Sequence, residues 1–92
     1  MAQQSLVIQA DPWTLQQELT GLAVGVKIVE KTSSSGKFIV ITDDALNGQT
    51  YEVIAGDPDA LSLAVNILIG AGAIIDFIAP TFSASHYLVG YR

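Results

Sequence analysis

Apolar residues recur along this chain in two different rhythms. Leu15, Leu19 and Leu22 fall at helical spacing behind Asp11-Pro12, with Gln16, Gln17 and Glu18 between them. Leu61, Val65 and Leu68 do the same behind Asp57-Pro58. An aspartate before the first turn accepts from its free N–H groups, and a proline there has no N–H to lose. Gly21 and Gly70 mark the two helix ends.

The second rhythm is that of β-branched and aromatic runs. Short strands, Val7-Ile8-Gln9 and Val53-Ile54-Ala55, precede the helices. Behind the first helix come 23–31 and 37–43, joined by Thr-Ser-Ser-Ser-Gly. Behind the second come 73–79 and 85–92, joined by Pro80 to Ala84. Asn47-Gly48, a strong turn pair, links the halves.

The predicted order is strand–helix–strand–strand, written twice. Asp11 and Asp57 lie 46 residues apart in a chain of 92. At that offset Val7 meets Val53, Ile8 meets Ile54, Leu15 meets Leu61, Leu22 meets Leu68 and Ile28 meets Ile74. The expectation is therefore a single α+β domain, 1–92, with halves of about 1–46 and 47–92. It is a tandem pseudo-twofold repeat of a β-α-β-β unit, with two short helices packed on a mostly antiparallel sheet. A ferredoxin-like sandwich would need one strand fewer in each half. A unit of this size does not bury a stable core alone, so the halves must pack together.

The helices differ in one respect. Leu63, Ile67 and Ile74 carry the apolar surface of the second helix beyond its stripe. A helix apolar on nearly all sides is covered on nearly all sides. In so small a domain the extra cover is expected from another subunit, with a homodimer as the simplest assembly. Composition agrees: half the residues are hydrophobic and 14% are charged, which excludes disorder and leaves excess apolar surface.

A net charge of −5 provides no field for phosphate backbones, so nucleic acid is not an expected partner. Without cysteine there is neither disulfide nor thiolate chemistry. The stretch from Ala60 to Ala79 has the length of a membrane span. It contains Asn66 and Asp76, and no Lys or Arg anchors either end, so a membrane role is not expected. The first residues lack a basic, apolar leader, and the expected location is cytoplasmic.

Candidate chemistry is sparse. Lys31-Thr-Ser-Ser-Ser-Gly-Lys37-Phe38 has the Gly-Lys of a phosphate loop but lacks its first glycine, its final hydroxyl and its following helix. It reads as a hairpin tip. Lys27, Lys31 and Lys37 around it are three of the four basic residues, a candidate anion or partner contact. His86 is the only histidine and has no evident orienting partner or co-ligands, so no metal or cofactor is expected.

Asp76 stands among apolar neighbours, and at the 46-residue offset it meets Glu30, which suggests a pair of carboxylates. Alternation places Tyr87, Val89 and Tyr91 on one strand face and His86 and Leu88 on the other. Trp13 lies off the leucine stripe, and Phe82 sits at the tip of the second hairpin. The leading expectation is a non-catalytic, self-associating structural or accessory protein that uses the second helix, Ile67 included, and the final strands. The alternative is a binder of a small apolar or aromatic ligand, or a small enzyme. Asp76, His86, Tyr87 and Tyr91 would then line a cleft between the halves.

Overall fold

A computed structural model describes residues 2–92. Strand β1 (Gln3–Gln9) leads into helix α1 (Pro12–Gly21), followed by β2 (Val26–Lys31) and β3 (Lys37–Asp43). A 3-10 turn (Asp44–Leu46) connects to β4 (Thr50–Ala55), helix α2 (Pro58–Gly70), β5 (Ile75–Pro80) and β6 (His86–Tyr91). Both helices start as their sequences dictate. The Thr14 N–H donates to Asp11 Oδ1 at 2.7 Å, and the Ala60 N–H donates to Asp57 Oδ1 at 2.8 Å.

The fold is α+β, with two helices and two three-stranded antiparallel sheets in the orders β1-β3-β2 and β4-β6-β5. The expected single sheet is thus two. Strands β2 and β5 run close together, yet no ladder joins them. Each carries a register shift, between Val26 and Ile28 in β2 and between Ile75 and Phe77 in β5. An extra residue in an edge strand disrupts pairing and increases twist, which separates the sheets.

The two β-α-β-β units share more than strand order. In each hairpin a threonine hydroxyl, Thr32 or Thr81, donates to the carbonyl five residues on, at 2.8 Å in both. Ala10 and Gly56 donate to the carbonyls of Gly36 and Ser85 in the same way. These positions correspond at 46 residues before the helices and at 49 after them, because α2 has 13 residues and α1 has 10. Asp76 therefore corresponds to Lys27, the other bulge residue, and not to Glu30. The expected carboxylate pair is thus not a pair of equivalent positions.

The packing of the units is not twofold. Leu15 and Leu19 of α1, fully buried, share one cluster with Ile8, Phe38 and Val40 of the first sheet and with Tyr51, Ala79 and Leu88 of the second. Helix α1 thus lies between its own sheet and strands β4 and β6. A twofold relation would place α2 against β1 and β3 in return. Instead α2 rests on the far face of its own sheet, in a cluster drawn wholly from the second unit: Ile54, Val65 and Val89, flanked by Leu61, Leu68, Ile75 and Tyr91. The layers run first sheet, α1, second sheet, α2.

Two tests follow from this layering. Leu15→Ala is expected to cost about 2–5 kcal/mol as a fully enclosed leucine. Leu61→Ala, at the corresponding but half-buried position, is expected to cost clearly less; denaturant unfolding of both variants compares them. Ala23, at φ +57°, and Ser85, at φ +58°, occupy left-handed backbone where Gly72 and Gly36 stand in the other unit. Ala23→Gly is expected to raise stability by about 1 kcal/mol, read from the unfolding midpoint, by relieving the Cβ clash of that region.

Candidate functional site

The polar residues singled out from the sequence are placed in separate surroundings. Asp76, whose side chain is 7% exposed, receives a bidentate pair from Arg92, Nε at 2.8 Å and Nη2 at 3.0 Å. It also accepts from Gln49 Nε2 at 2.9 Å. Arg92 foremost, then Gln49, hold its carboxyl below the ordinary carboxylate value, against the opposing effect of burial. His86 stands at the other end of the β5–β6 hairpin. Its Nδ1 lies 2.8 Å from the Ala84 carbonyl, and its ring meets Trp13 edge-on at 5.2 Å. Asp76 and His86 do not meet.

Trp13, His86 and Phe82 instead join the two units. Phe82, at the tip of the second hairpin, meets Phe38 edge-on at 5.1 Å, and Lys31 Nζ lies 5.5 Å from its ring centre. The first hairpin tip, Thr32 to Gly36, is closed by Thr32 and Ser34 and projects no apolar side chain. The three lysines do not converge. Lys27 lies at the opposite end of β2 from Lys31, about 13 Å along the strand. Lys31 pairs with Phe38, so that Lys37, next to Phe38 on β3, takes the other face of the sheet.

Gln49 organises the junction. Its Oε1 accepts from the Val26 N–H at 2.7 Å and from the Tyr51 hydroxyl at 2.8 Å, while its Nε2 donates to the Val26 carbonyl at 2.8 Å. Beside the bulge the backbone N–H and carbonyl of Val26 both face Gln49, and one carboxamide satisfies the two. Buried beside this junction, the Tyr51 hydroxyl is pushed up to about 12, by desolvation first and by the Asp76 charge second. Neither Gln49 nor Arg92 carries a motif. Their one sequence trace is that Gln49 matches Gln3 at the 46-residue offset.

The remaining unusual surface belongs to α2. Of its apolar side chains only Val65 is buried, while Leu63, Ile67 and Ile69 are more than half exposed. Ile78 on β5 is also exposed, whereas Ile74, expected on the second helix, lies beyond the end of α2 in the link to β5. Between α2 and its sheet runs a groove of about 250 Å3, walled by Leu61, Val65, Ile78 and Tyr87, with Ser62 and Asn66 at its lip. Tyr87 faces this groove, whereas Tyr91 lines a different hollow with Leu68 and Ala71. Among the described residues no cluster of three acidic or histidine side chains is placed to hold a metal ion, and no helix is long and apolar enough to cross a membrane.

Comparison with family models, with curated proteins and with solved structures returns no match.

The junction yields three measurable expectations. Gln49→Ala leaves the Val26 N–H and carbonyl without this partner and the Tyr51 hydroxyl with only its 3.4 Å contact to the Val24 carbonyl, and is expected to cost about 1–3 kcal/mol in denaturant unfolding. Because the Asp76 carboxyl is held low in the folded state, its contribution is complete above the ordinary carboxylate range and is lost as pH falls through the lower folded value. Asp76→Asn is therefore expected to be less stable than the parent at neutral pH, with the gap closing in acid. Spectrophotometric titration is expected to show one of the three tyrosines ionising late, near pH 12, and stability falling between about pH 10 and that point.

Proposed function

We propose that this protein is a self-associating structural or accessory domain without catalytic activity, and that its second unit, α2 with β5 and β6, forms the contact surface. The observation that carries this reading is α2 itself, which exposes Leu63, Ile67 and Ile69 and buries only Val65. Burying a leucine or isoleucine side chain fully contributes about 1.5–3 kcal/mol. A few of them brought together outweigh a substantial association cost. Contiguous apolar surface of this kind on a small domain marks an interaction site.

We also propose that the two β-α-β-β units are a fused duplication. Support comes from the shared sheet order, the paired bulges, the two threonine-closed hairpins and the 46-residue spacing of the Asp-Pro caps. An ancestral single unit would have covered its exposed helix with another copy, as α1 is now covered by the second unit.

The alternative, a ligand cleft between the units lined by Asp76, His86, Tyr87 and Tyr91, has less support. Those four side chains lie in four different surroundings, and Asp76 and His86 already have partners. Light scattering across a wide concentration range tests the leading reading. The weight-average mass is expected to rise with concentration, and a strict monomer throughout would overturn it.

A further inference from the structure

The groove beside α2 has a filled counterpart in the first unit. Leu61, Ile78 and Tyr87 correspond to Leu15, Val29 and Phe38, and those three are all buried. What covers them is the second unit: the face of its sheet that carries Val53, Phe77 and Leu88, with Phe82 laid on Phe38. In the second unit nothing among the described residues takes that place, and Ile78 is 45% exposed.

The covering face also has a counterpart. Val53, Phe77 and Leu88 correspond to Val7, Ile28 and Ile39 on the outer face of the first sheet, exposed at 63%, 39% and 38%. Val7 pairs directly with Ile39 and Ile28 with Ile41, so the four form a β-branched patch, bordered on β2 by Glu30, which pairs with Ile39. The chain thus contains one interface already made, between α1 and the second sheet. At its two ends it presents the separated halves of a second interface of the same kind.

Resting on the self-association reading above, we infer that copies of this chain stack head-to-tail, the groove beside α2 of one copy receiving the outer face of the first sheet, Val7, Ile28 and Ile39, of the next. The polar positions agree. Within the chain, Trp13 meets His86 across the internal interface. Their counterparts are Asp59 and Lys37, opposite charges that the stack would bring together. Gln49, which clamps Val26, has Gln3 as its counterpart; within the chain Gln3 Nε2 donates to Asp43 Oδ2 at 2.9 Å, and in the stack its Oε1 would accept from the Ile75 N–H of the neighbouring copy. A heterologous contact of this sort does not close on itself after two copies, so growth beyond a dimer is its hallmark.

The experiment is sedimentation velocity on the full chain, five single variants and one double variant. Val7→Lys spoils the sheet face, Asn66→Arg blocks the groove, and Ile67→Lys charges the side of α2 turned away from the groove. The parent is expected to show a ladder of species beyond the dimer at high concentration. Val7→Lys and Asn66→Arg are each expected to be monomeric alone and to form a one-to-one dimer, and nothing larger, when mixed. That dimer also proves both variants folded, since each must supply an intact face. Lys37→Glu and Asp59→Lys are each expected to weaken association at least several-fold, and the double exchange to restore it.

A parent dimer that survives Val7→Lys but is lost in Ile67→Lys would mean α2-to-α2 contact. It would overturn the head-to-tail stack while leaving self-association standing. A parent that is monomeric at every concentration would overturn both.

Discussion

Everything in this structure hangs on the double use of α1. Leu15 and Leu19 are buried between two sheets at once, so the helix that completes the first unit is also the floor on which the second is built. Neither three-stranded sheet with its helix holds enough apolar surface for independent stability at this size. Sharing one helix between them joins Ile8, Phe38 and Val40 to Tyr51, Ala79 and Leu88 in a single cluster. The direction of sharing has a consequence. Because α1 is covered from both sides and α2 from one, the molecule has a finished end and an unfinished one.

Apolar packing alone would leave the junction between the sheets loosely oriented. The bulges in β2 and β5 end the regular ladders where the two edges approach, which frees the Val26 N–H and carbonyl and aims Asp76 inward. Gln49 takes both of those groups and reaches Asp76 as well, and Arg92 neutralises the carboxylate. Buried polar groups left unpartnered are costly, so this small, fully satisfied network sets the relation of the sheets more sharply than the leucines can.

Much of the local structure is legible in the residues. Asp-Pro caps, a Thr-Ser-Ser-Ser-Gly tip and alternating β-branched runs act within a few residues of themselves, and nearby chemistry is what a sequence displays. The 46-residue match misleads only where it crosses the helices. Three extra residues in α2 shift every later correspondence, so Asp76 falls beside Glu30 on paper but is the equivalent of Lys27 in the fold. Trp13, His86 and Phe82 stand out in the sequence as unusual side chains, but their meeting partners lie about 40–70 residues away along the chain. The exposed apolar character of α2 was readable from Leu63 and Ile67. The patch of Val7, Ile28 and Ile39 was not, because on any strand an outward valine looks the same as an inward one until the neighbouring layers are known.

The elements, their order, the helix starts and the surplus of apolar surface are written in the residues themselves, since each follows from short-range backbone and solvation preferences. That there are two sheets, with α1 between them, emerges from the packing of distant segments. That packing alone decided that Asp76 serves a polar junction. Those outcomes depend on which faces meet, and the same β-α-β-β pattern is compatible with a twofold pair or a head-to-tail one. The choice falls to a few contacts between distant residues, Leu15 and Leu19 on the second sheet and Gln49 on the Val26 backbone, whose energies exist only once the chain has brought them together.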